Sequence, residues 1–251
     1  MTVERNNTDD TVVFERVSKA FGENVVLRDV SFSVPKGQAL CIMGSSGTGK
    51  SVALKLAIGL LKADQGKVLI DGEDITKLNE DGLSRIRRKM GFLFQSAALF
   101  DSFTLANNLA LPLHRLDRTK SKDEIRTIVD KVLDDVGLKK DKDKLPVALS
   151  GGMRKRAGLA RALMLKPEIL LVDEPSSGLD RITSSEIDEL LLSVKTEQHT
   201  TLVVVTHDAR GARRVGDRFA VLDKGNLLGC GTLEDLEKSD NKMVRELISE
   251  C

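Results

Sequence analysis

Four stretches of the chain carry residue types suited to handling phosphates. Gly44-Ser45-Ser46-Gly47-Thr48-Gly49-Lys50-Ser51 fits GxxxxGK followed by Ser, between an apolar run at 39–43 and the helix-like SVALKLAIGLL. Glycines let the main chain curl so that successive N–H groups enclose an anion. Lys50 would neutralise the β- and γ-phosphates, Ser51 would ligate Mg²⁺ through its hydroxyl, and Val52 continues the same helical start. Downstream, four apolar residues at 169–172 lead into Asp173 and Glu174. Those carboxylates emerge at the carboxyl end of a buried strand, where open α/β sheets bind ligands. Asp173 is the expected metal partner, and Glu174 is placed to polarise a water attacking the γ-phosphate. His207 follows another apolar run at 202–205 and reaches the same sheet edge, where it is read as a γ-phosphate contact. Between these stretches, Ser150-Gly151-Gly152 opens the helical run of LSGGMRKRAGLARAL and offers a second helix N-terminus to an anion. One chain thus carries two devices suited to phosphate, and the residues alone leave open why one ligand would need both.

The elements that must position these groups are legible in the hydrophobic periodicity. Val12 and Phe14 alternate, as do Val30, Phe32 and Val34 before the turn Pro35-Lys36-Gly37, so the opening segment reads as strands. SVALKLAIGLL is apolar nearly all round, which predicts a helix buried against a sheet. Residues 67–70 followed by Asp71-Gly72 predict a strand and tight turn. Ile125, Ile128, Val129, Val132, Leu133 and Val136 share one helical face, ended by Gly137, and residues 97–165 read mainly as helix and loop. Pro167 stops a helix, and apolar strands follow at 169–172, 202–205 and 219–222. Thr183 with Glu186 predicts a capping box for the helix carrying Ile187, Leu190 and Leu191. Strands alternating with helices argue an α/β core with a largely parallel sheet, without internal repeat or low-complexity linker.

Composition narrows the function classes. The 251 residues suffice for a well-buried core, with 41% hydrophobic and 31% charged residues. A net charge of +1 gives no global electrostatic case for nucleic acid or anionic lipid. The basic runs RIRRK (85–89) and RKR (154–156) read as solvated faces beside acids. Trp and Tyr are absent, so stacking platforms of single-strand binders are missing. Cys41, Cys230 and Cys251 are odd in number and far apart, against a disulfide framework or zinc site and in favour of a reducing cytosolic compartment. MTVERNNTDD has no apolar leader core, and the longest apolar runs fall far short of the roughly 20 residues needed to span a bilayer.

Taken together, GSSGTGKS, Gln95 in GFLFQ, LSGGM, ILLVDEPSSGLD and VVVTHD appear in an order that resembles the ATP-binding subunit of ABC transporters over nearly the whole chain. The resemblance implies a P-loop NTPase core, an antiparallel β subdomain and a helical lobe. It implies one domain at 11–235, with a core at 11–96 and 166–235, a lobe at 97–165 and a C-terminal tail at 236–251. In that family LSGG binds the γ-phosphate held by a second subunit, so Leu149, Ser150, Gly151, Gly152 and Met153 would serve the ATP of another copy. Two chains would meet head to tail around two nucleotides, each site built from both. By the same resemblance Phe21 would stack on adenine with Val26 nearby, although a core role for Phe21 stays open. Gln95 would sense metal and water, and Asp180 would touch the opposite site. Met153 and Arg181 depart from the common Gln and Pro. GLDRITSSEIDELL and the basic start after LSGGM are similar to MlaF-type subunits of Mce-associated phospholipid transporters; amino-acid importers and lipoprotein-releasing ATPases are the competing subfamilies. The implied setting is the cytoplasmic face of the inner membrane. A multispanning permease would dock on the lobe, especially 97–113, with an Mce-type lipid-binding protein as a further partner of the phospholipid subfamily, and nucleic acid is not an expected partner. A non-transport ATPase of the same class would carry two modules or a coiled-coil insertion, and neither is present. Met243, Val244, Leu247 and Ile248 form one face of a short tail helix that packs on its own domain or on the second copy.

Overall fold

Alternating apolar residues sort the strands into two sheets whose shared core fixes the loops of the site. The computed structural model describes residues 9–117 and 119–249. β1 (Asp10–Phe21) and β2 (Asn24–Pro35) form an antiparallel hairpin. β3 (Ala39–Met43) leads into α1 (Lys50–Ala57), then β4 (Gln65–Ile70), the short β5 (Glu73–Asp74), α2 (Glu80–Arg87) and β6 (Met90–Leu93). Three helices follow, α3 (Leu105–Leu116), α4 (Lys122–Asp135) and α5 (Gly151–Leu163). The chain returns through β7 (Ile169–Asp173), α6 (Arg181–Gln198), β8 (Thr201–Val205), α7 (Ala209–Val215), β9 (Arg218–Asp223) and β10 (Asn226–Gly231), and ends in α8 (Leu233–Glu237) and α9 (Lys242–Ser249).

The first sheet runs β2-β1-β4-β5 and is antiparallel throughout. The second runs β10-β9-β3-β8-β7-β6 and is parallel except for the β9–β10 pair. Strand side chains alternate between faces, and the cores follow that period. Leu40, Ile42, Leu171, Val203 and Val205 point to one core, shared with α1 and the antiparallel sheet. Cys41, Met43, Leu170, Val172, Leu202 and Val204 point to the other, closed by α6, α7 and α9. A third core lies among α3, α4 and α5, around Leu105, Leu109, Leu133 and Ala157. The fold is therefore α/β with a mixed, largely parallel central sheet, as the sequence led us to expect.

Three local expectations are revised. SVALKLAIGLL does not continue as helix to Leu61: α1 stops at Ala57, and Gly59 turns left-handed at φ 68°. The amides of Leu60 and Leu61 then fold back to donate to the Lys55 carbonyl, a glycine-terminated helix end. Arg87 donates to the carbonyls of Ile58 and Gly59 at 3.0 and 2.8 Å, so this member of RIRRK caps α1. Thr183 is not an N-cap. That place belongs to Asp180, whose carboxylate accepts from the amides of Ile182 and Thr183 and from the Thr183 hydroxyl, while Glu186 pairs with Arg156. An aspartate satisfies two helix-start amides and complements the dipole, and it displaces a threonine three residues on. The tail helix packs on its own chain: Val244 and Ile248 are buried in the second core with Leu236.

Candidate active site

β3 aims the glycine loop and α1 receives it. Gly49 stands before α1 at φ 99°, and a Cβ there would lie 2.7 Å from the Val26 carbonyl oxygen, so only glycine passes. No side chain caps the start of α1, which leaves its first amides turned toward the loop. Lys50 Nζ donates to the carbonyls of Gly44 and Ser45 at 2.8 and 2.9 Å, and the Thr48 hydroxyl donates to Ser45 O at 2.9 Å. At the helix start, Ser51 Oγ donates to Asp173 Oδ1 at 2.8 Å. The loop is thereby tied to the end of β7, two strands away in the sheet.

Glu174 follows β7 in a left-handed conformation, φ 48°, which a residue with a side chain adopts only when its surroundings hold it there. Each of its polar groups is held by a different element. Its N–H donates to Val205 O of β8 at 2.9 Å, its carboxylate Oε2 lies 2.7 Å from His207 Nδ1, and its carbonyl accepts from Lys155 Nζ of α5 at 2.6 Å. Asp173 and Glu174 are thus flanked by two buried lysines, Lys50 and Lys155, each 6% exposed. Burial lowers the pKa of both ammonium groups, and the charges of Glu174 and Asp173 oppose that shift. A cavity of about 480 Å³ opens over this cluster, lined by Val26, Ser46, Gly47, Gly49, Lys50, Ser51, Val52, Gln95, Glu174 and His207. Loop amides for an anion, hydroxyl and carboxylate oxygens for a hard cation, and a carboxylate–imidazole pair beside them suit hydrolysis of a phosphate anhydride.

Gln95 stands where β6 gives way to the helices. Ala97 and Ala98 just beyond it are both left-handed, at φ 61° and 48°. Arg161 of α5 donates to both of their carbonyls, at 3.1 and 2.7 Å. At Gly158 a Cβ would come within 2.9 Å of Ala97 Cβ, so the missing side chain lets this loop approach α5.

Other expected residues lie elsewhere. Phe21 is 48% exposed at the end of β1, with Lys19 Nζ 5.4 Å from its ring centroid, which removes the core role. Leu149 is buried in the lobe, and Ser150 Oγ accepts from the Met153 amide as N-cap of α5. None of residues 149–153 lines the cavity, nor does Asp180. Two residues escaped the sequence reading. RKR is not a solvated face, because Lys155 is buried against Glu174, and Arg161 was assigned no role. The signal was available: buried positions Gly152, Lys155, Gly158 and Leu159 follow a helical stripe on which a charge must have a partner.

The sheet order, glycine loop and Asp173–Glu174 pair define a P-loop nucleotide hydrolase. A family model described as ABC transporter matches residues 27–177. The probable ribonucleotide transport ATP-binding protein mkl of Mycobacterium leprae (strain TN) is 44% identical over 234 residues, 93% of this chain and 67% of that protein. The methionine import ATP-binding protein MetN 1 of Staphylococcus aureus (strain N315) is 38% identical over 229 residues, 90% of this chain and 67% of that protein. The chain therefore spans about two thirds of the length of these relatives. A dimeric, post-hydrolysis structure of the ATP-binding cassette MJ0796 bound to ADP and Pi superposes with a TM-score of 0.82 at 36% identity, covering 88% of this chain and 98% of that one. This chain belongs to the ABC transporter family, as an ATP-binding, ATP-hydrolysing cassette.

Proposed function

We propose that two copies of this chain close head to tail on two ATP molecules and power a membrane permease. The cradle 44–51 takes the triphosphate, with Lys50 on the β- and γ-phosphates and the adenine resting against Phe21 and Val26. Ser51 and Asp173, with Gln95 at the same cavity, are hard oxygen donors that suit Mg²⁺. Mg²⁺ is commonly held by one or two protein oxygens together with substrate phosphates and waters, so a site with few protein ligands suits it. When bound, Mg²⁺ supplies charge neutralisation to the phosphates. Glu174 orients the attacking water and accepts its proton, and His207 steadies that carboxylate and meets the γ-phosphate. Ser150, Gly151 and Gly152 complete the other copy's site, with Asp180 beside it. The lobe at 97–165 receives the permease at the cytoplasmic face of the inner membrane.

The single observation that carries the catalytic part is Glu174 itself, lining the cavity beside Lys50 and 2.7 Å from His207 Nδ1. Glu174→Gln is expected to bind ATP as before and to lose about 100-fold or more in turnover, the usual weight of a general base. Unchanged hydrolysis would remove Glu174 from that role.

For cargo we favour phospholipid, with an Mce-type partner, on the support of GLDRITSSEIDELL and the basic run after LSGGM. Ribonucleotide transport and methionine import, named for the relatives, belong to those proteins. Purification from solubilised membranes is expected to bring down a permease, an Mce-domain protein and bound phospholipid. An amino-acid permease with its binding protein would favour the import reading instead.

A further inference from the structure

α5 begins at the signature turn and, about 7 Å along its axis at 1.5 Å per residue, sends Lys155 inward to the backbone of Glu174. Burying an ammonium is costly, and an apolar side chain of similar length would fill this space with less penalty. The position nevertheless holds a lysine, 6% exposed, whose Nζ donates 2.6 Å to the Glu174 carbonyl. Glu174 is left-handed, so the direction of its carbonyl fixes how the residue leaves the strand and where its carboxylate lies. The same carbonyl also accepts from the Ser177 amide at 3.3 Å, which carries the constraint into the segment leading to Asp180.

We propose that Lys155 is a positioning residue that couples the signature turn at Ser150 to the hydrolytic carboxylate of its own chain. This rests on the roles proposed for Glu174 and for the signature. In a closed pair the signature touches the second copy's nucleotide, while Glu174 acts on the nucleotide of its own cradle. A shift of the α5 start on engagement displaces Lys155 and with it the Glu174 peptide. Occupancy of one site then sets the readiness of the other through one hydrogen bond.

The test compares Lys155→Met, which removes the donor, and Lys155→Gln, which keeps a donor without the charge, with Glu174→Gln as reference. For Lys155→Met, kcat is expected to fall at least about tenfold, the scale of losing one positioning contact. KM and the affinity of the free protein for a fluorescent ATP analogue should stay within about twofold. Lys155→Gln should fall between the unaltered chain and Lys155→Met. Amide hydrogen exchange at Ser177 should be faster in the Met variant than in the unaltered chain. A folded Lys155→Met protein with unaltered kcat overturns the proposal. So does a parallel loss of kcat and ATP affinity, which marks a structural role only. If Glu174→Gln is inactive while Lys155→Met is normal, the coupling alone fails; full turnover by Glu174→Gln overturns both readings.

Discussion

Asp188 is a buried carboxyl on α6, 7% exposed, and its pKa is raised to about 6. Burial is the main cause and the neighbouring Asp208 charge adds to it, while Arg214 pulls the other way and Glu189 raises it further. Asp208 is the N-cap of α7, directly after His207, and accepts from Ser176 Oγ at 3.4 Å. The folded chain holds this proton more tightly than the unfolded chain, so stability falls as pH rises from about 4 through 6 and stays lower above it. Asp188→Asn should therefore be more stable than the unaltered chain at pH 8, by on the order of 1–2 kcal/mol once solvent screening is allowed for. The gap should close as pH falls below 6, and thermal melts of the two proteins across that range would show it. Equal melting at pH 8 would contradict the assignment.

The start of α5 is pressed against the start of α6. A Cβ on Gly152 would lie 2.3 Å from Thr183 Cγ2, and Thr183 is held in place by its hydroxyl on Asp180 Oδ2 at 2.7 Å. Gly152→Ala should cost about 1–3 kcal/mol by overpacking. Adding Thr183→Ser, which deletes the offending methyl and keeps the hydroxyl, should recover most of the loss in chemical denaturation. No recovery would mean that the strain lies elsewhere. These helix starts also mark where sequence reasoning ran out. The strands around 169–172 and 202–205 were legible because every residue is apolar and each run ends in a polar group at the sheet edge. The lobe helix at 125–136 was legible from its period. Asp180 as cap, Lys155 as a buried donor and Arg161 on the Ala97 and Ala98 carbonyls depend on which helix approaches which loop. Such contacts between remote segments leave little trace in local pattern. The stripe through Gly152, Lys155 and Gly158 was a trace, and the charge of its neighbours obscured it.

Across the whole molecule, the cradle and Glu174 converge on one cavity, with Asp173 tied to it through Ser51, and the signature turn stands outside. Ser150 and Gly151 are exposed at the start of α5, away from the residues that line the cavity of their own chain. In the proposed pair a second copy supplies the nucleotide they meet, and each working site draws the cradle from one chain and the signature from the other. The most direct measurement is ATP hydrolysis by an equal mixture of Ser150→Arg and Lys50→Ala proteins, each inactive alone. Mixed pairs contain one site with an intact cradle and an intact signature, so random pairing predicts activity above either component and at most about a quarter of the unaltered rate, a ceiling that coupling between the sites lowers. A mixture no more active than its separate components would contradict the shared site.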